Sequence, residues 1–219
     1  MPDSPNHPIH LEDRKSNGAR KFSPTAARNR EPIAQVLTSL LPQETRVLEI
    51  ASGTGEQALH ICQQRSDIIW QPSDPDDSSR ASQDSWAEES GGNMRRALNI
   101  DTMQHGWDEA QALPQFAPNF IFCANMIHIA PWEAAAGLAK GAGRLLKSGS
   151  SCVLYGPFKE GTLTAPSNLE FDKSLKSRNP AWGVRDLDDV KHIFALNGFN
   201  LHQTIVMPKN NQILVFQRS

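Results

Sequence analysis

The run Val47-Leu48-Glu49-Ile50-Ala51-Ser52-Gly53-Thr54-Gly55 carries the densest chemistry in this sequence. A short apolar, β-branched stretch meets two glycines one residue apart. That pattern lets the backbone turn tightly after a strand and come close to a ligand. Glu49 stands just before the turn, and Asp74 and Asp101 close the next two predicted strands. Three carboxylates around one crevice suit a ligand with a positive end. A dinucleotide turn wants G-x-G-x-x-G, with backbone N–H groups on a pyrophosphate. Here Glu56 follows Gly55, no third glycine completes the pattern, and an acid at that point repels phosphate. The phosphate-binding signature G-x-x-x-x-G-K-[ST] is also absent.

S-adenosylmethionine (SAM) meets these requirements, with its sulfonium, ammonium, ribose and adenine. Asp74 would accept from the ribose hydroxyls and Asp101 from the adenine amino group. A single aspartate at a strand end is often only a cap or turn residue; the series of three gives the ligand reading its weight. Other candidates stand further along the chain. Arg28, Asn29 and Arg30 cluster on the first predicted helix. There Arg28 can pair with a ligand carboxylate or belong to a solvated face. His128 is either a general base for a hydroxyl, thiol or amine acceptor or a hydrogen-bonded structural histidine. Tyr155, the one tyrosine, ends a predicted strand and either lines an acceptor pocket or packs. Trp132, Phe158, Asn168 and Trp182 lie in segments suited to an acceptor wall. The histidines form no HxH, HxxxH or HExxH set, so no metal is expected.

The elements that must position these groups follow from the hydrophobic pattern. Ser23 and Pro24 read as a helix cap and first helical residue. Ile33, Val36, Leu37, Leu40 and Leu41 then repeat at helical spacing until Pro42, with Pro32 predicting a kink or split. Strands are predicted over residues 46–51, 68–70, 96–100, 119–124 and 151–155, with helices between them. Strands alternating with helices imply parallel βαβ units and an open α/β sheet. A helix opening at Asp186 and ending near Asn197-Gly198 precedes two strands around Pro208-Lys209-Asn210-Asn211, an antiparallel hairpin. Residues 1–22 are polar and aperiodic and read as a flexible arm before a single domain over 23–219.

Composition bounds the function classes. The 219 residues hold 22 Lys and Arg against 24 Asp and Glu, a net charge of −2. That balance argues against a nucleic-acid backbone as partner. Cys62, Cys123 and Cys152 show no CxxC spacing and read as buried apolar residues in a reducing compartment. No apolar stretch is long enough to span a bilayer, and no signal-peptide pattern is seen, so a cytoplasmic protein without a membrane partner is expected.

The E-x-A-S-G-T-G turn followed by acids at the next two strand ends resembles a class I SAM-dependent methyltransferase. More narrowly, Trp70-Gln71-Pro72-Ser73-Asp74-Pro75-Asp76, Cys123-Ala124-Asn125-Met126-Ile127-His128-Ile129-Ala130-Pro131-Trp132, Tyr155-Gly156-Pro157-Phe158, Ser167-Asn168 and Trp182-Gly183-Val184-Arg185-Asp186 resemble the DUF938 family, similar to the methyltransferase-like protein 26 group. The resemblance runs from about residue 20 to the end. It implies a Rossmann-like, seven-stranded, mostly parallel sheet with helices on both faces, strand order 3-2-1-4-5-7-6, and strand 7 antiparallel. It also implies that Glu49, Ser52, Gly53, Thr54 and Gly55 hold the methionine part of SAM, with Asp74 on the ribose, Asp101 and Thr102 at the adenine, and Asn125 below the sulfonium. Two positions depart from the superfamily pattern: Ala51 replaces a glycine, tolerable if φ is negative there, and Asn119 replaces an acid. The activity so implied is methyl transfer to a small molecule, leaving S-adenosylhomocysteine (SAH). The alternative is a non-catalytic module that holds SAM or another nucleoside to regulate a partner. A nucleic-acid methyltransferase would carry an NPPY-like motif where Cys123-Ala124-Asn125-Met126 stands.

Overall fold

A computed structural model describes residues 14–109 and 112–219. Alternation of strands and helices produces one six-stranded sheet, with a small hairpin ahead of it. The hairpin is β1 (Lys15–Asn17) paired antiparallel to β2 (Arg20–Phe22). Ser23 accepts from Ala26 N and caps α1 (Pro24–Leu40), with Pro24 in the first turn, as the sequence predicts. Pro32 lies inside α1 without splitting it. Then come β3 (Arg46–Ile50), α2 (Glu56–Gln64), β4 (Ile69–Pro72) and α3 (Asp77–Ala87). A short α4 (Ala112–Phe116) leads into β5 (Phe120–Ala124), α5 (Trp132–Leu145) and β6 (Ser151–Pro157). The chain closes with α6 (Pro166–Arg178), α7 (Leu187–Leu196), β7 (Phe199–Met207) and β8 (Asn211–Arg218).

The strand order is β4-β3-β5-β6-β8-β7. The first four are parallel, while β8 runs antiparallel to both β6 and β7. This matches the expected order at every place but one: the third predicted strand, residues 96–100, is not a strand, and the sheet has six strands rather than seven. Pro72 supplies the physical reason. Trp70 bonds on either side of Met94, donating to Asn93 O at 2.7 Å and accepting from Arg95 N at 2.8 Å. Two residues on, Pro72 has no N–H to continue the ladder. The Gln71 side chain donates to Arg96 O at 2.6 Å instead, and Pro72 O accepts from Leu98 N, one residue beyond regular register. Only isolated bridges remain along this edge.

The side chains of each strand alternate between two cores. Leu48, Ile50, Ile121, Cys123 and Leu154 pack under α5 and α7. Val47, Trp70, Phe122, Val153 and Tyr155 pack under α1 and α2. All three cysteines are buried and unpaired. The expected flexible arm needs a correction: its residues 14–22 form the hairpin and dock on α3, and the remainder lies outside the described residues. Phe22 packs edge-on to Trp86 at 5.2 Å, Lys21 N donates to Ser82 Oγ at 2.8 Å, and Arg20 donates to Ser85 and Glu89. Among the described residues no helix is long and apolar enough to cross a membrane.

Candidate functional site

The carboxyl ends of β3, β4 and β5 open into a cleft of about 1220 Å³. In an open α/β sheet this crevice is where ligands bind. Glu49, Ser52, Gly53, Thr54, Asp74, Asp101, Thr102 and Asn125 all line it, as do Arg28, His128, Asn168 and Trp182. Gly55, Tyr155, Trp132 and Phe158 do not.

The glycine turn is built from both sides. Ser52 N donates to Ser73 O at 2.8 Å, and Ser52 Oγ accepts from Ser73 N at 3.1 Å, so the ends of β3 and β4 are laced together. Ser73 Oγ donates to Glu49 O at 2.7 Å. From α3, Gln83 donates to Gly53 O and Ser82 to Thr54 O. Gly53 has φ +60°, and a Cβ there would meet only the Arg14 guanidinium, at 3.7 Å. Gly55 does a different job from the one expected of it. Its φ is +89°, and a Cβ would stand 2.9 Å from Gln83 Cα. It lets α2 and α3 approach behind the turn, and it does not line the cleft. Ala51 also departs from expectation, because its φ is +55° rather than negative. A residue with a side chain thus holds a left-handed conformation that glycine adopts more cheaply.

Two carboxylates on the cleft floor are held against their ordinary ionisation. Glu49 is buried and accepts from Trp70 Nε1 at 2.9 Å. Burial pushes its pKa from 4.5 to about 7, opposed by that bond and by Ser52, with the Asp74 charge adding to the rise. Asp74 accepts Gly53 N on one oxygen and Asp76 N on the other, both at 3.0 Å. Burial nevertheless raises it from 3.8 to about 6, against those bonds and the Arg14 charge. Both groups would ionise more readily beside a cation. Glu56 faces away from the cleft chemistry. Its Oε2 accepts from Ser23 N at 2.7 Å and Thr54 Oγ1 at 3.0 Å, tying α1 to the turn.

Asp101 accepts from Met103 N, and Thr102 Oγ1 donates to Ala134 O on α5. Gly137 makes that approach feasible, because a Cβ would fall 1.9 Å from Thr102 O. Asn125, at the end of β5, has φ +61°. His128 is almost fully buried beside it. Its Nδ1 accepts from Arg185 N at 3.3 Å. Burial and then the Arg185 charge push the pKa of His128 down to about 3. His128 therefore stays neutral near pH 7, and its Nε2 has no hydrogen-bond partner among the described residues.

Tyr155 points into the α1/α2 core, and burial raises its hydroxyl to about 12. It does not reach the acceptor side. Phe158 packs edge-on behind His128 at 5.2 Å. Trp132 lies under the Arg185 guanidinium in a separate cavity of about 440 Å³. Asn168 braces the wall, donating to Phe158 O and Asn210 O. Sequence pattern does not reveal Arg14, Ser82 and Gln83. Their contributions depend on the hairpin and α3 packing over a turn distant in sequence, and no local spacing signals that. No group of His, Cys, Asp and Glu among the described residues is arranged to hold a metal.

This architecture is similar to that of solved SAM-dependent methyltransferases. The fold superposes on CalO1, a methyltransferase of calicheamicin biosynthesis in SAH-bound form, with TM-score 0.72 and 13% identity over 89% of this chain. It also matches an O-methyltransferase family protein from Burkholderia thailandensis at TM-score 0.74 and 14% identity, over 89% of this chain. An O-methyltransferase family 2 protein from Planctomyces limnophilus, in complex with apigenin, matches at TM-score 0.71 and 15% identity over 89% of this chain. This chain covers 54%, 57% and 60% of those three chains, so it spans little more than half their length. By sequence, residues 20–218 match the family described as protein of unknown function, DUF938, and the chain belongs to that family.

Proposed function

We propose that the protein is a SAM-dependent methyltransferase acting on a small molecule. The observation that carries this reading is the convergence of buried Glu49 and Asp74 with the glycine turn on one open cleft. Two carboxylates held near neutrality by burial favour a ligand carrying positive charge and no phosphate. SAM fits that donor set, and when bound it supplies a sulfonium-activated methyl group.

The chain's own residues then have defined tasks. Ser52, Gly53 and Thr54 present close-approach backbone to the methionine end. Asp74 faces the ribose, and the loop of Asp101 and Thr102 faces the adenine. Arg14 and Arg28 line the same cleft and suit a ligand carboxylate. Asn125, just past β5, lines the same cleft, as do Asn168 and Trp182. Orientation and exclusion of water are the main contributions of such a site. Held by Ser52, Gly53, Thr54 and Asp74, SAM would supply its activated methyl group to an acceptor's lone pair and would leave as SAH.

Isothermal titration with SAM and SAH tests the reading. Micromolar binding of both is expected, with methyl transfer from labelled SAM to an acceptor. Absence of heat with either ligand, together with an unchanged melting temperature, would overturn it. The regulatory-module alternative draws on His128, whose Nδ1 is occupied and whose pKa is low. An acceptor that arrives already ionised removes the need for a base.

A further inference from the structure

Charge is sorted across this cleft. Its lining carboxylates are Glu49 in β3, Asp74 and Asp76 between β4 and α3, Asp77 at the start of α3 and Asp101 in the loop beyond α3, with Arg14 as the lining cation beside Asp74. The lining elements α1, α6 and the β7–β8 turn contribute Arg28, Arg178 and Lys209 and no lining carboxylate. Among the described residues neither Arg28 nor Lys209 enters an ion pair; Arg28 donates to Thr25 Oγ1.

Lys209 is held at the rim by strained backbone. Lys209 has φ +63° and Asn210 has φ +57°. Two successive left-handed residues make a turn that sequences normally reserve for Asn-Gly or Asp-Gly. The turn is clamped to α6. Asn168 donates to Asn210 O at 3.0 Å, and Asn210 Nδ2 donates to Ser167 Oγ at 2.8 Å. Strain kept by such a clamp is a mark of a functional position. On the same wall Phe171 keeps 37% of its surface exposed while lining the cleft, and Trp182 lines it too. An exposed aromatic on a cleft wall is apolar surface available to a ligand.

We propose that the acceptor is an organic anion, a carboxylate carried on a flat apolar body, drawn to Lys209 and packed against Phe171 and Trp182. The inference rests on the methyltransferase reading and adds the substrate class. Opposed potentials within one cleft give orientation as well as attraction. The acidic floor directs the anion away from the cofactor's seat, and a bound sulfonium removes that repulsion, so the cofactor enters first.

The probes are 2-naphthoate and 2-naphthamide, equal in shape and different in charge, titrated into the full chain alone, with SAH and with SAM. Naphthoate is expected to bind at least tenfold tighter than naphthamide, tightest with SAM, and to weaken as salt rises. Lys209→Glu should cost naphthoate about tenfold, with Lys209→Gln in between, while naphthamide and SAH affinities stay unchanged. Retained SAH binding shows that the variants are folded. Equal binding of the two probes, no binding of either, or a preference that survives Lys209→Glu would overturn the proposal. Failure of the unaltered protein to bind SAH or SAM is a separate result. It sinks the methyltransferase reading, and the probe preference measured without cofactor still decides the charge assignment.

Discussion

Replacing Glu49 by Gln should make the empty protein more stable while weakening its hold on the cofactor. The carboxyl titrates at about 7 in the fold against 4.5 when unhindered, because burial penalises its charge. A raised folded pKa means that the folded state binds the proton more tightly than the unfolded chain does. Stability from this group is therefore complete below pH 4.5, declines as pH rises, and is lost above about 7. At ~1.4 kcal/mol per tenfold change, the full penalty is about 3 kcal/mol. The amide of Gln keeps an oxygen for Trp70 Nε1 and carries no charge. Glu49→Gln should thus add ~1–3 kcal/mol at pH 8 and next to nothing at pH 4.5, seen as a melting temperature ~3–8 °C higher at pH 8 only. Urea unfolding at both pH values measures this, and titration with SAM at pH 8 should show at least tenfold weaker binding. A variant less stable than its parent at pH 8, or a difference independent of pH, would refute the account of Glu49 as a desolvated carboxylate awaiting a cation.

The same linkage predicts that SAM binding near pH 6.5 releases protons from Glu49 and Asp74. Calorimetry in two buffers of different ionisation enthalpy should give different apparent heats, with affinity rising between pH 5.5 and 7.5. A Cβ on Gly55 would take a left-handed conformation and stand 2.9 Å from Gln83 Cα. Gly55→Ala should therefore destabilise the fold by ~2–4 kcal/mol, read by thermal melts. Ala51→Gly removes a left-handed alanine. The relief of ~1–2 kcal/mol is partly offset by the entropy of a glycine, so a gain of ~0.5–1 kcal/mol in denaturant unfolding is expected.

The glycine turn and carboxylates of the cleft are legible in the sequence because they are local. A strand, a small-residue turn and acids at successive strand ends all lie within short windows, and the fold brings those ends together. The acceptor side is not. The parallel strands are buried on both faces, so their sequences do not alternate, and nothing local tells whether Tyr155 faces α1 or the cleft. The third predicted strand fails for a reason visible only across strands, where Pro72 withholds one donor from its neighbour. Gly55 reads as a ligand contact because a glycine's freedom does not reveal which neighbour requires it. Arg14 escapes notice because three-residue strands carry too little pattern to rise above a polar terminus.

Glu56, buried beside the glycine turn, joins two parts of the fold. One carboxylate oxygen receives both the first amide before α1 and the hydroxyl of the glycine turn. Any shift of the turn as it closes on a bound molecule is therefore transmitted to the helix that carries Arg28 and Asn29. With the apolar packing of α1 on α2, this carboxylate couples the two halves of the cavity, so filling one bears on the shape of the other.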